Sequence, residues 1–127
     1  MGESQPLRVV LAEDEVIIRK DLVAILERLG LVVEADVASG AEAVEAARRF
    51  APDLLVLDVR LSGALDGIAV AEQVQDFSDA MIIFVSAFDQ ETQARGSRLR
   101  HVLGHLRKPL VSSTVGRLLE RHGLIAR

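Results

Sequence analysis

Five short apolar runs alternate with longer segments of helical periodicity along this chain. The runs cover residues 7–12, 31–37, 53–57, 80–85 and 102–107. Apolar runs of this length are typical of buried strands and too short for helices. Strands that alternate with helices form a parallel sheet covered on both faces, and right-handed crossovers leave few ways to order it. We therefore predict an α/β fold, a doubly wound (βα)5 domain whose five parallel strands have the order 2-1-3-4-5.

Local signals mark the first two helices. Residues 16–29 carry apolar side chains at helical spacing and are followed by Gly30, a common helix stop. Ser39 precedes Glu42 with the spacing of a capping box, so a second helix is expected to run to about residue 50.

Three further helices are expected in the second half of the chain. Asp66 is a predicted N-cap, and Asp89 is predicted to cap a helix over about 90–101. Ser112 or Ser113 is predicted to cap the last helix. The apolar side chains predicted to face the core are Val70, Val74 and Phe77 in the third helix and Val115, Leu118 and Leu119 in the last.

Length and composition predict one domain. The 127 residues are predicted to form a single unit with a core of about 7–122 and no output domain, and half of them are hydrophobic. No apolar stretch approaches the ~20 residues that span a bilayer, and no secretion signal opens the chain. Cysteine is absent, which excludes disulfides and thiolate metal sites. A cytoplasmic protein without membrane partners is expected.

Charge is distributed unevenly. Residues 1–66 carry 13 acidic and 7 basic side chains, whereas residues 67–127 carry 6 and 8. The basic half is either a solvated face or a surface for a partner. Direct binding of nucleic acid is not expected, because the pI near 5.3 is acidic.

Polar or ionisable side chains follow four of the five predicted strands. Glu13 and Asp14 follow the first strand, Asp58 the third, Ser86 the fourth and Lys108 the fifth. In an open α/β sheet the ligand site lies at the carboxyl ends of the strands, where the strand order reverses. Three carboxylates, a hydroxyl and an ammonium group are therefore expected to meet in one crevice.

This set of groups favours phosphoryl transfer to Asp58. Crowded carboxylates raise one another's pKa values, and a hard cation such as Mg²⁺ relieves that repulsion. An ammonium and a hydroxyl group can hold phosphoryl oxygens, and an ionised aspartate is an established nucleophile. Each residue alone has an ordinary explanation as a helix-terminal acid, a loop cap, a strand-end hydroxyl or a surface base. Their combination in one predicted crevice indicates a functional site.

Over residues 7–122 the sequence resembles the receiver domain of two-component response regulators. The matching segments are 11–15, the strand that ends at Asp58, Asp66-Gly67, residues 85–87 and residues 107–109. The resemblance implies a flavodoxin-like fold similar to the chemotaxis regulators, and a signalling function in a two-component system or phosphorelay. The domain would catalyse only its own phosphoryl uptake and hydrolysis. Its implied partners are a histidine kinase or histidine phosphotransferase and a downstream protein.

The resemblance also assigns the metal ligands. It implies Asp58 as the phosphoacceptor, and Asp14 and Asp58 as ligands of Mg²⁺. Glu13 would act mainly through water, and the backbone carbonyl of Arg60 would complete the protein ligands.

A second group of implied roles concerns the phosphoryl group and its readout. Ser86 and Lys108 would hold the phosphoryl oxygens with the backbone N–H of Ala87, and the Lys108–Pro109 peptide would be cis. Phosphorylation would switch the face formed by the fourth predicted helix, the fifth strand and the last helix. His105 occupies the switch position, where an aromatic residue is commoner, so it is either a switch that can titrate near neutral pH or a half-exposed strand residue.

One loop departs from the receiver pattern. Receiver domains usually carry Met-Pro after the phosphoacceptor strand, whereas this chain reads Leu61-Ser62-Gly63 and has one extra residue before Asp66-Gly67. The shape of this loop therefore does not follow from the resemblance.

Three other functions stay open from the residues. One is an interaction domain that works without phosphorylation. A phosphatase of the haloacid-dehalogenase type would need a second aspartate where this chain has Arg60. A flavodoxin-like binding module would need a phosphate loop rich in glycine and hydroxyl groups after the first strand, where this chain has three acids.

Overall fold

The predicted sheet is present in the computed structural model, which describes residues 5–87 and 98–126. Its five parallel strands have the order 2-1-3-4-5, as predicted. The strands are β1 Arg8–Ala12, β2 Val32–Val37, β3 Leu54–Asp58, β4 Met81–Ser86 and β5 Val102–Arg107. The helices are α1 Val16–Arg28, α2 Gly40–Phe50, α3 Gly67–Val74 and a C-terminal helix Ser112–Arg121.

Both faces of the sheet are covered. Successive side chains of β3 point to opposite faces, and every residue of this strand is buried. Leu55 and Leu57 pack in a cluster with residues of α2 and α3. Leu54 and Val56 pack with residues of α1 and the C-terminal helix. Since helices occupy both faces, the carboxyl edge of the sheet is where polar side chains from several strands can meet.

The predicted stop of α1 is confirmed. Gly30 takes a left-handed conformation with φ of 91°, which a residue without Cβ adopts at little cost. The turn lets the N–H of Leu31 donate to the carbonyl of Leu26 at 3.0 Å, so a free carbonyl at the helix end is satisfied.

Two predicted N-caps are also confirmed. The Ser39 hydroxyl accepts a hydrogen bond from the N–H of Glu42 at 3.2 Å and donates to the Glu42 carboxylate at 3.0 Å. The Asp66 carboxylate accepts from the N–H of Ala69 at 2.9 Å. The N–H groups of Glu42 and Ala69, which have no partner within their helices, are satisfied in this way.

The predicted serine cap of the C-terminal helix is wrong. Val111 is the N-cap and makes no side-chain capping bond, so Ser112 and Ser113 lie inside the first turn. Val111 already has the extended backbone, with φ of −127° and ψ of 152°, that the residue before a helix requires.

The predicted burial of Phe77 is also wrong. Val70 and Val74 are buried, but α3 ends at Val74 and leaves Phe77 37% exposed. The guanidinium carbon of Arg48 lies 4.1 Å from the centroid of the Phe77 ring. A cation–π contact therefore replaces the burial that helical spacing suggested.

Most of the fourth predicted helix falls on residues outside the described ranges. Residues 90–97 and the predicted cap Asp89 are outside the described residues, and 98–101 contain no α-helical residue. Within the described ranges, no helix has the length and apolar content to cross a membrane.

We expect Ser39→Ala to lower the free energy of unfolding by about 1 kcal/mol, because two N-terminal contacts of α2 are lost. Ser113→Ala is the matched control, since Ser113 is exposed and does not cap its helix. Urea unfolding followed by circular dichroism measures both. Equal destabilisation by the two variants would contradict this assignment of the caps.

Candidate active site

The polar residues predicted at the strand ends lie together at the carboxyl edge. Glu13, Asp14 and Asp58 each place a carboxylate oxygen within 4.8 Å of the others. Backbone hydrogen bonds extend the sheet past the strand ends on both sides. The N–H of Glu13 donates to Val37 at 3.0 Å, and the N–H of Lys108 donates to Ser86 at 2.9 Å. The sheet itself thus fixes the spacing of these groups.

Asp58 stands at the centre of the site and is only 4% exposed. Its Oδ1 accepts a hydrogen bond from the N–H of Arg60 at 3.0 Å, and its Oδ2 accepts from Lys108 Nζ at 3.1 Å. Gly67 lies against the Asp58 backbone so closely that an added Cβ would be 2.2 Å from the Asp58 carbonyl oxygen. Each carboxylate oxygen of Asp58 thus has a donor among the described residues, and each oxygen can accept a further bond.

Lys108 connects two of the carboxylates. Its Nζ lies 2.8 Å from Glu13 Oε1 and 3.1 Å from Asp58 Oδ2. Burial alone would lower the pKa of Lys108, but its ion pair with Glu13 and its hydrogen bond to Asp58 outweigh burial and raise that pKa. Lys108 therefore carries its charge at neutral pH. The Lys108–Pro109 peptide is cis, as predicted.

Glu13 is completely buried. Burial raises the pKa of Glu13 despite the opposing effect of Lys108. Its Oε2 accepts from the N–H of Glu15 at 3.1 Å, and its backbone carbonyl accepts from Arg19 Nη1 at 2.8 Å. The other oxygen, Oε1, is close to Lys108 but receives no well-directed hydrogen bond from the described residues.

Asp14 is held by the loop that follows β3. Its Oδ2 accepts hydrogen bonds from the Ser62 hydroxyl and from the Ser62 N–H, the latter at 3.3 Å. The hydrogen bond from the Ser62 side chain is the main reason that the pKa of Asp14 is lowered. Asp14 is thus an ionised carboxylate with a fixed orientation.

The donor set fits a hard divalent cation. The three acids offer only oxygen ligands, which Mg²⁺ prefers, and the buried oxygen Glu13 Oε1 has an ion pair with Lys108 but no well-directed hydrogen bond from the described residues. A cation beside these groups would relieve the repulsion between carboxylates that Lys108 balances only in part.

Ser86, at the end of β4, is in direct contact with His105 in β5. Ser86 is 2% exposed, and its Oγ lies 2.9 Å from Nε2 of His105. The His105 ring lies beside that of Phe84, with 6.3 Å between the ring centroids. Ser86, the last residue of β4, is therefore in contact with the other predicted switch residue.

The last two predicted residues lie on the rim of the site. The side chain of Arg60 is exposed, and its backbone N–H binds Asp58. Ala87 is exposed and accepts a hydrogen bond from Arg107 Nε at 3.3 Å through its carbonyl. The Arg60 carbonyl as a metal ligand and the Ala87 N–H as a phosphoryl donor stay predictions.

Two residues that bind Glu13 and Asp14 were not identified from the sequence. Arg19 binds the backbone carbonyl of Glu13 and pairs with Asp36 at 3.2 Å. Ser62 binds Asp14. Arg19 looked like an ordinary charge on the polar face of α1. The signal for Ser62 was its position in the one loop that departs from the receiver pattern.

Comparison with known proteins agrees with this geometry. The chain matches the sequence model of the response regulator receiver domain over residues 9–120. It is 36% identical over 104 residues to the transcriptional regulatory protein PdtaR of Mycobacterium tuberculosis. The aligned residues cover 82% of this chain and 50% of that protein. The chain spans about half the length of the first curated relatives it matches.

Solved structures show the same likeness. The signal receiver domain of a modulated diguanylate cyclase from Desulfovibrio desulfuricans G20 is 33% identical, with a TM-score of 0.83 and coverage of 92% of this chain and 93% of that one. The receiver domain of the response regulator PhyR from Erythrobacter litoralis is 26% identical, with a TM-score of 0.80 and coverage of 91% and 88%.

Proposed function

The chain belongs to the response regulator receiver domain family, and we propose from that premise that it takes up a phosphoryl group on Asp58. The observation that carries this proposal is the placement of Asp58. It is nearly buried, lies beside two further carboxylates, and is hydrogen-bonded to a lysine ammonium. A carboxylate in such a setting is costly unless it is bound or chemically used.

The donor is a phosphohistidine on a histidine kinase or a histidine phosphotransferase. A carboxylate oxygen of Asp58 attacks the phosphorus atom. The new O–P bond forms as the N–P bond breaks, and the electron pair of the N–P bond returns to the imidazole of the donor. The product on this chain is an acyl phosphate.

Asp14 and Asp58 would hold Mg²⁺, with Glu13 acting through water and the Arg60 carbonyl as a further ligand. When bound, Mg²⁺ supplies neutralisation of the charge on the phosphoryl oxygens. The fit of the three carboxylates and the buried oxygen of Glu13 support this assignment.

Lys108 and Ser86 would bind the phosphoryl oxygens with the N–H of Ala87. Lys108 already contacts Asp58, so its ammonium is placed where negative charge is added. Ser86 is buried beside the same edge. Its hydroxyl would exchange the His105 contact for a phosphoryl oxygen.

The exchange at Ser86 would carry the signal to a partner surface. Release of His105 lets its ring change position between Ser86 and the groove formed by β5 and the C-terminal helix. That groove is lined by apolar and basic side chains, among them Leu103, Leu118 and Arg117. It belongs to the face through which the domain would bind a downstream protein; the fourth predicted helix of that face lies outside the described residues.

Incubation with a small phosphodonor and Mg²⁺ tests this function by intact mass. We expect the wild type to gain the mass of one phosphoryl group and Asp58→Asn to gain none. Asp76→Asn is the matched control, since Asp76 is exposed after α3 at the opposite edge of the sheet. Chelation of the metal should suppress labelling. Equal labelling of wild type and Asp58→Asn would end the proposal.

A further inference from the structure

The loop formed by residues 59–66 crosses from β3 to the acidic pair at the end of β1. Ser62 in this loop donates twice to the same oxygen of Asp14, once through its hydroxyl and once through its N–H at 3.3 Å. Ser62 and Asp14 are 48 residues apart in the chain, so this contact ties two separate strand ends together.

These two hydrogen bonds are accepted by a carboxylate oxygen of Asp14 that could otherwise bind a cation. A carboxylate has about four lone-pair positions on its two oxygens. Both donors of Ser62 bind the same oxygen, Oδ2. A cation that approaches the Asp14 carboxylate thus competes with Ser62 for electron density, and for Oδ2 directly.

The loop is built so that Ser62 can leave without disturbing the core. Its ends are fixed: Leu61 is 6% exposed, and Leu65 lies so close to Gly40 that an added Cβ would be 2.3 Å from the Leu65 carbonyl oxygen. Between these anchors, residues 62–64 are exposed. Gly63 has φ of 94°, a conformation that glycine adopts without strain.

We propose that Ser62 is a latch that binds Asp14 in the metal-free protein and is displaced, at least at its hydroxyl, when Mg²⁺ binds. This inference rests on the magnesium site of the proposed function. Ser62 is a positioning residue in this account, because it acts through Asp14. Metal occupancy would then set the conformation of residues 62–64, and the loop would report whether the site is loaded.

Ser62→Ala should bind Mg²⁺ about tenfold more tightly than the wild type, because it removes a competing hydrogen bond to a charged oxygen. Isothermal titration calorimetry measures this affinity without any phosphodonor. The free energy of unfolding gives a second readout. In a chelator, Ser62→Ala should be less stable than the wild type, and saturating Mg²⁺ should narrow the difference, because a ligand stabilises the protein that binds it more tightly.

Two variants serve as controls. Ser62→Thr keeps the hydroxyl and should restore the wild-type affinity. Ser78→Ala makes the same chemical change in the turn between α3 and β4, at the opposite edge of the sheet, and should leave Mg²⁺ binding unchanged.

The possible outcomes separate the latch from the metal site. Unchanged or weaker Mg²⁺ binding by Ser62→Ala would overturn the latch alone, because Ser62 would then be neutral or would assist the metal. Binding by Ser62→Thr as tight as that of Ser62→Ala would also overturn it. If neither the wild type nor any variant bound Mg²⁺, the proposed metal site itself would be wrong, and the latch with it.

Discussion

Replacing Lys108 with methionine should slow phosphorylation of the protein by about 10²–10³-fold, the effect of removing one positioned charge from a reaction that adds negative charge. The ammonium lies 3.1 Å from Asp58 and 2.8 Å from Glu13. Methionine fills a similar volume but cannot bind either carboxylate or a phosphoryl oxygen. The rate is measured as mass gain over time at a fixed concentration of phosphodonor and Mg²⁺.

The same change should lower the free energy of unfolding by about 3 kcal/mol in a chelator, because two buried carboxylates lose their shared cation. Circular dichroism must follow the unfolding, since the chain contains no Trp or Tyr. Lys20→Met is the matched control: Lys20 is the other lysine of the sequence and is exposed on α1. If both variants labelled at the wild-type rate and unfolded alike, the role given to Lys108 would be wrong.

Gly67→Ala should have the second large effect, on stability as well as on the site. The added methyl group would lie 2.2 Å from the carbonyl oxygen of Asp58 and 3.0 Å from Cα of Val59. Both atoms belong to the backbone, so β3 or the start of α3 must shift. We expect a loss of roughly 3 kcal/mol, the upper range for overpacking, together with slower labelling because Asp58 is displaced.

Gly116→Ala provides the opposite expectation for the same chemical change. Gly116 lies within the C-terminal helix, and its added methyl group would meet Leu29 at 3.4 Å, an ordinary contact. Alanine is favoured over glycine inside a helix, so this variant should gain about 0.5–1 kcal/mol. A result in which Gly67→Ala is as stable as Gly116→Ala would show that the close approach of Gly67 to Asp58 does not constrain the fold.

The fold could be predicted because its strands and most of its helix ends are marked by residues close together in the sequence. The run that forms β3 is apolar throughout, and its burial on both faces is what a central parallel strand requires. The helix signals at Gly30, Ser39 and Asp66 depend on neighbours within four or five residues, and all three work as the sequence suggested. The cap at Ser112 or Ser113 and the burial of Phe77 were predicted wrongly, because the end of a helix depends on packing as well as on the residues at its terminus.

Most residues of the site could also be predicted, because they directly follow the strands in the sequence. Parallel strands place the residues that follow them at one edge, so Glu13, Asp14, Asp58 and Lys108 could be grouped before any distance was known. The Ser62 contact could not be predicted in this way. It depends on the path of an irregular loop across 48 residues of sequence separation, and no periodicity encodes such a path.

The most direct test of the central claim is to locate the phosphoryl group after transfer from a phosphohistidine donor. Borohydride reduces an aspartyl phosphate to homoserine, and peptide mass mapping then identifies the altered residue. We predict homoserine at position 58 alone, with unmodified aspartate at Asp14 and Asp53. Modification of another residue, or none at Asp58 in a phosphorylated sample, would contradict the assignment of Asp58 as the phosphoacceptor.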